Sequence, residues 1–146
     1  MLRRDRAMTA VAVILDVTLH AGRTEPCSAA DIAGRLGMAR RGIEPVLQAL
    51  TRSRLLEGVR GPAGGYRLGR SRRDIRLSEI VQAVQESDSG DGPAGVLQAA
   101  VVGPLWEELD GVLTRHLGML TVADLLQRAA AQGIKPRPAE PLDFAI

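Results

Sequence analysis

The stretch that decides the fold is Leu56-Glu-Gly-Val-Arg-Gly-Pro-Ala-Gly-Gly-Tyr-Arg-Leu-Gly-Arg70. Leu55 to Arg60 and Tyr66 to Leu68 are short runs on either side of Gly61-Pro62-Ala63-Gly64-Gly65. Two such runs about a Gly/Pro-rich loop predict a β-hairpin. Arg60 stands where the chain enters the loop, Arg67 on the return strand, and Arg70, Arg72 and Arg73 follow. Glycines let a backbone approach a phosphate and donate N–H groups to it, and an arginine at a loop tip fits a narrow minor groove. A mononucleotide phosphate loop is the other glycine-rich possibility. It requires a GKS/T ending and a following helix, which this stretch lacks.

Upstream, the pattern is helical. Val11, Ile14, Leu15 and Leu19 give helical spacing over about Arg4 to His20, and Ala21-Gly22 ends that run. Ser28 with Asp31 three residues on is a capping pair that opens a second helix, whose stripe is Ala29, Ile32, Ala33 and Leu36. Gly37 stops it. A third helix runs from about Arg40 to Arg52 with Ile43, Val46, Leu47 and Leu50 on its apolar face. Pro45 sits awkwardly there, because proline inside a helix costs about 3 kcal/mol; it predicts a late start or a bend. Two helices about a glycine turn fit any αα-hairpin. Followed by a basic hairpin, they read as a helix-turn-helix with a wing.

Downstream, Asp74 to Glu86 reads as a fourth helix, with Ile75, Leu77, Ile80, Val81 and Val84 apolar. Ser87 to Gly95 is a polar, glycine-rich linker. Its aspartates lack the alternating ligands and final glutamate of a calcium loop. Val96 to Met119 carries a long apolar stripe that includes Leu97, Val101, Leu105, Leu109, Val112, Leu113, His116 and Leu117. Gly103-Pro104 interrupts it, so Pro104 either kinks one helix or starts another. A stripe this wide needs a partner: a second copy about a twofold axis, or the chain's own first domain. Thr121 with Asp124 caps a last helix to about Ala131, and Gly133 ends it. Lys135 to Ile146, with three prolines, reads as an extended or disordered tail.

Charge is sorted along the 146 residues. Met1 to Arg76 holds 15 arginines and 7 acids, a net of +8, whereas Leu77 to Ile146 has a net of −6. Codon bias could explain the excess of arginine over lysine but not this sorting. The basic half is an electrostatic footprint for a polyanion. Aromatic residues are only 2% of the chain, so the core is aliphatic and favours helices. A single cysteine, Cys27, excludes an internal disulfide, a Cys₂His₂ zinc site and an all-cysteine cluster within one chain. Its ordinary reading is a small, half-buried apolar residue; an oxidisable thiol or an intermolecular disulfide is the alternative. His20 and His116 lie on apolar helix faces, where packing or capping is the ordinary role. The basic Met1–Arg6 and apolar Ala7–Leu19 imitate a secretion signal, but no clean small-residue cleavage site follows. No run reaches the roughly 20 apolar residues of a membrane span. A cytoplasmic protein is expected.

The wing stretch, the run Ile75-x-Leu-x-Glu-Ile-Val-x-Ala-Val84, and Leu105-Trp-Glu-Glu-Leu109 ahead of Thr121-Val-Ala-Asp-Leu125 resemble the Rrf2 family of bacterial winged-helix transcription regulators. The resemblance spans about residues 7 to 132. It implies a dimer whose third helix enters the major groove, whose wing contacts the minor groove, and whose long helix joins two copies. Many members sense iron–sulfur status, nitric oxide or redox state through three cysteines between the fourth helix and the dimer helix. Ser87 to Pro104 has none here, so that chemistry is not carried over and no cofactor or metal is expected.

The expected fold is mainly α with a small β-hairpin wing: a winged helix-turn-helix plus a long dimerisation helix. Residues 1–73 form the DNA-binding domain and 74–95 a connecting helix and loop. Residues 96–133 form the dimerisation and terminal helices, and 134–146 the tail. The expected function is a sequence-specific DNA-binding regulator, a repressor acting as a homodimer on a partly palindromic operator with half-sites about one helical turn apart. Ser28, Arg40 and Arg41 are placed for phosphates or base edges, and Gln48 for a base further along. Arg60, Gly64, Gly65, Tyr66 and Arg67 are the wing candidates. Leu105, Leu109, Val112, Leu113 and His116 are the dimerisation candidates. A small-molecule effector, Cys27 oxidation or a protein partner are open as signals. A winged-helix module that docks proteins instead of DNA is the alternative, and it would carry an acidic or apolar wing. No nucleophile–base pair, carboxylate pair or metal cluster suggests an enzyme.

Overall fold

Helix α1 (Arg4–His20) is the central element, and the rest of the first domain wraps it. A computed structural model describes residues 4–22, 25–85 and 95–136. The expected linker at residues 87–95, apart from Gly95, and most of the proline-rich tail lie outside the described residues. Ala10, Val13, Ile14 and Val17 of α1 are fully buried, with Val11 and Leu15 half-buried beside them. Its apolar surface is therefore wider than the four residues singled out by spacing. That suits a helix covered by the next three helices in the chain (Ala29–Leu36, Arg40–Arg52 and Leu77–Val84), the hairpin and the last helix.

Helix α2 (Ala29–Leu36) starts at Ser28, whose Oγ accepts the Asp31 N–H at 3.1 Å. It stops at Gly37, which takes φ +65°, and the Met38 N–H reaches back five residues to the Ala33 carbonyl at 2.9 Å. That left-handed stop favours glycine and turns the chain into α3 (Arg40–Arg52). Pro45 lies inside α3, so the expected late start does not occur. Ile43, Val46, Leu47 and Leu50 are buried as their spacing requires.

Strands β1 (Leu56–Val59) and β2 (Gly65–Leu68) pair antiparallel, with Glu57 opposite Arg67 and Gly58 opposite Tyr66. Cys27 adds a one-residue bridge on the far side of β2. Its N–H donates to the Tyr66 carbonyl at 2.9 Å and the Tyr66 N–H donates to the Cys27 carbonyl at 2.7 Å. The hairpin is thereby fastened to the loop that opens α2.

Helix α4 (Leu77–Val84) is shorter than expected. Asp74 sits in a turn closed by its N–H on the Ser71 carbonyl, and Arg76 is extended. The reason is pairing: the Leu77 N–H donates to the Leu120 carbonyl and the Val122 N–H to the Ile75 carbonyl, so this segment forms a bridge instead of a helical turn. Glu79 then caps α4 by accepting the Arg76 N–H at 2.9 Å.

A π-helical turn (Gln98–Val102) leads without a break into α5 (Gly103–Gly118). The Gly103 N–H donates five residues back, to Gln98. Pro104 cannot donate and its ring would crowd the carbonyl four residues back, which a widened turn relieves. Pro104 thus occupies the first turn of α5 behind that wide turn. Helix α6 (Val122–Ala131) carries a complete capping box, Thr121 Oγ1 accepting the Asp124 N–H and Asp124 accepting the Thr121 N–H. Among the described residues, no helix is long and apolar enough to cross a membrane.

Candidate nucleic-acid interface

The outer face of α3 is set by what its inner face buries. With Ile43, Val46, Leu47 and Leu50 inside, Arg40, Arg41, Glu44, Gln48 and Arg52 are left facing out. Arg40 Nε lies 3.3 Å from Glu44, an exposed pair one turn apart that holds the guanidinium loosely. Arg41 and Gln48 stand exposed on the same helix. Beside them a shallow depression between α1 and α3 is lined by Asp5, Arg6, Thr9, Arg41 and Pro45. Sequence reasoning notes Arg6 only as the end of the basic run Met1–Arg6, in the first turn of α1.

The orientation of α2 against α1 rests on a buried charge. Asp16 is buried within α1, and Arg35 of α2 meets it bidentately, Nε at 2.9 Å and Nη2 at 2.9 Å. The carboxylate holds the Arg35 guanidinium above its ordinary pKa. His20 Nε2 lies 3.8 Å from the same carboxylate. Cys27 is buried, more than the half-burial its sequence context suggests. Burial pushes its thiol up, against the opposing pull of Arg35. A thiol held up in this way is a packing group rather than a ready nucleophile. A carboxylate–guanidinium pair of this kind fixes geometry, and its loss would leave a buried charge.

The wing separates into residues that shape it and residues that face out. Gly64 and Gly65 are expected from the sequence to let a phosphate approach. The approach they permit is internal. A Cβ at Gly65 would lie 2.2 Å from the Cys27 carbonyl oxygen, and one at Gly64 would lie 2.3 Å from that of Val59. The Gly64 and Tyr66 N–H groups are also spent, on the Gly61 and Cys27 carbonyls. Tyr66 packs half-buried on the core. Arg67 Nε donates to Glu57 at 3.0 Å across the strands, and that bond raises its pKa. Arg60, at the start of the loop, is exposed.

The dimerisation candidates all lie on one helix that buries none of its residues. Leu105, Leu109, Val112 and Leu113 are exposed, with Trp106 beside them, and His116 is exposed near the end. The alternative in which this stripe folds onto the chain's own first domain holds only at the C-terminal end. There Leu117 and Leu120 pack on the core and Arg76 Nη1 donates to the Gly118 carbonyl at 2.6 Å.

The donor set does not fit an iron–sulfur cluster. The one thiol is buried beside Arg35, and no group of three His, Cys, Asp or Glu residues comes together among the described residues.

A profile of the Rrf2 family, described as an iron-dependent transcriptional regulator, matches residues 4–128. The HTH-type transcriptional regulator IscR of Photobacterium profundum is 33% identical over 135 residues, covering 88% of this chain and 77% of its own. IscR of an Enterobacter species is 32% identical over 133 residues, covering 88% and 81%. Among solved structures, T. potens IscR superposes with a TM-score of 0.69 at 30% identity, covering 87% of this chain and 88% of that one. The global cysteine regulator CymR of B. subtilis, at 21% identity and a TM-score of 0.66 over 84% and 94%, shares the fold.

Proposed function

This chain belongs to the Rrf2 family of transcription regulators, and on that premise we propose that it is a cytoplasmic, homodimeric repressor that reads a partly palindromic operator without an iron–sulfur cluster. It is a helix-turn-helix regulator with a winged-helix fold and not an enzyme. The observation that carries the reading is the combination of a basic outer face on α3 with an apolar face on α5 that the chain itself leaves uncovered.

In this reading Arg41 and Gln48 reach base edges from the outer face of α3, with Arg40 beside them; arginine pairs bidentately with guanine and glutamine with adenine. Ser28 accepts the Asp31 N–H, so its own O–H remains to donate to a phosphate at the start of α2. Arg60 is the wing contact. Gly64, Gly65 and Tyr66 shape the wing, and Arg67 is held by Glu57. Leu105, Leu109, Val112 and Leu113 form the twofold seam, with His116 at its end. The basic wing favours DNA over a protein-docking winged helix.

The test is fluorescence-anisotropy binding to duplex from the chain's own upstream region, against a shuffled duplex, across a salt series. Selective binding at physiological salt is expected. Equal, weak and steeply salt-dependent binding to both would remove sequence-specific reading of that region. Arg60→Ala is expected to weaken binding and to lower the salt slope by about one unit. An unchanged slope and affinity would take Arg60 out of the interface.

A further inference from the structure

The basic surface does not stop where α3 stops. Arg52 is exposed at the last turn of α3, four residues beyond Gln48 and so on the same side of the helix. Arg54 follows in a left-handed conformation with φ +59°. There the chain abuts the base of the wing. The Gly69 N–H donates to the Leu55 carbonyl at 3.0 Å, and a Cβ on Gly69 would lie 2.3 Å from the Arg54 carbonyl oxygen. Arg72 and Arg73 come three and four residues later, a chain reach of roughly 10 to 14 Å.

All four guanidinium-bearing residues are exposed, and none has a side-chain hydrogen bond or ion pair among the described residues. The acids nearby are mostly committed. Glu79 takes Arg70 at 2.9 Å and the Arg76 N–H, and Asp124 caps α6. Asp74 alone, next to Arg73, stands as an exposed acid in this cluster. Four exposed cations on two adjoining chain segments, with one exposed acid beside them, make a net positive surface that favours a polyanion.

The dimensions say which polyanion. A helix of 13 residues is about 20 Å long, and the major groove is about 12 Å wide. A helix whose first turns enter the groove therefore overhangs the strand that bounds it. We propose that Arg52, Arg54, Arg72 and Arg73 form a second phosphate-binding surface, holding the backbone of duplex DNA beyond the bases that α3 reads. This surface supplies affinity and a longer footprint and reads no bases, because the end of α3 and the foot of the wing lie beyond the groove that the first turns of α3 enter. It rests on the chain being a DNA-binding regulator and is independent of which α3 residues read sequence.

The experiment compares wild type with Arg52→Gln/Arg54→Gln/Arg72→Gln/Arg73→Gln on an operator selected from a random duplex library and on a shuffled duplex of equal length. Circular dichroism and the unfolding midpoint check that the variant folds, and the pair Arg72→Gln/Arg73→Gln keeps the test alive if the fourfold variant does not. The variant is expected to lose affinity for both duplexes by the same factor, leaving the operator-to-shuffled ratio unchanged. Its salt slope is expected to fall by up to roughly 0.9 for each phosphate that is no longer neutralised. Lysine at the same four positions is expected to restore most of the slope.

Affinity and slope equal to wild type would overturn the proposal and leave the surface to an acidic protein partner. A collapsed ratio would overturn it in the other direction, by making these residues readers of sequence. If wild type itself shows no preference for any duplex, the reading of α3 as a sequence reader fails, while the slope difference still decides the second surface.

Discussion

The winged helix and α5 solve opposite problems with the same kinds of side chain. In the first, Ile14, Ile32, Ile43, Leu47, Leu50, Leu55, Leu56, Ile75 and Ile80 are all sealed from water. In the second, Leu109 exposes 50% and Val112 52% of their surface, and no residue of the helix is buried. The first region is a finished core. The second is left uncovered by the described residues of the chain and meets the first around Leu117 to Leu126. Burying a leucine fully is worth about 1.5–3 kcal/mol, so an uncovered row of this length is a large unused source of stabilisation among the described residues. What distinguishes the regions is therefore not composition but whether the described residues of the same chain supply a facing surface.

The strongest way to break this contrast is a pair of substitutions. Leu47→Ala opens a cavity against a fully buried neighbourhood and is expected to cost about 2–5 kcal/mol of unfolding free energy, read by chemical denaturation. Leu109→Asp is expected to leave the circular dichroism of the winged helix in place and to raise the dimer dissociation constant more than a hundredfold, read by sedimentation. It should also abolish the dependence of the thermal midpoint on protein concentration. A wild-type chain that sediments as a monomer would sink the twofold seam, and with it the contrast.

A smaller effect sharpens the boundary between the regions. Thr121 ends the turn that joins α5 to the first domain, and it caps α6 through the Asp124 N–H. Thr121→Ala is expected to cost about 1 kcal/mol. The same change at the Ser28 cap removes a comparable bond. If Thr121→Ala also weakens dimerisation, the α5–α6 turn sets the angle at which α5 is presented; if stability alone changes, it is a local cap.

Much of the molecule is legible in the sequence. The bounds of α1 and α3, the Ser28 and Thr121 caps and the left-handed stop at Gly37 follow from local rules, because capping and periodicity act within a few residues. Most of the misses are non-local. Asp16 lies in an otherwise apolar stretch, and nothing local signals its partner, Arg35, 19 positions away. Gly64 and Gly65 look like phosphate-approach glycines, but their constraint comes from Val59 and Cys27. Arg67 looks free on sequence, and its partner Glu57 appears only once the hairpin register is fixed. Pro104 leaves two choices open because the sequence has no sign for a π-helical turn. Residues four apart advance a helical stripe by about 40°, and one wide turn takes back much of the drift that would otherwise part Leu97 and Val101 from Leu105 and Leu109.

The smallest effect concerns the polar tie between wing and α5. Glu79 joins both, accepting from the Arg76 N–H and from Arg70 Nη2, while Arg76 Nη1 reaches the Gly118 carbonyl. The Arg76 N–H, more than Arg70, holds the Glu79 carboxyl below its ordinary value of about 4.5, against the opposing effect of burial. A carboxyl lowered on folding stabilises the protein above its unfolded pKa, and that contribution is lost as pH falls from about 4.5 through the lower folded value. Asp124 is lowered in the same direction by the Thr121 N–H, so it contributes to the same acid limb. Glu79→Gln keeps an acceptor for the Arg76 N–H but removes the charge that Arg70 meets. Its unfolding midpoint is therefore expected to fall less steeply than wild type as pH drops below about 4.5 and to match the wild-type slope near neutrality. Superimposable acid limbs would mean that the Glu79 charge adds no stability through this tie. The wing and α5 would then be coupled through the Arg76–Gly118 bond, the packing of Leu117 and Leu120 and the backbone bridge at Arg76 and Thr121.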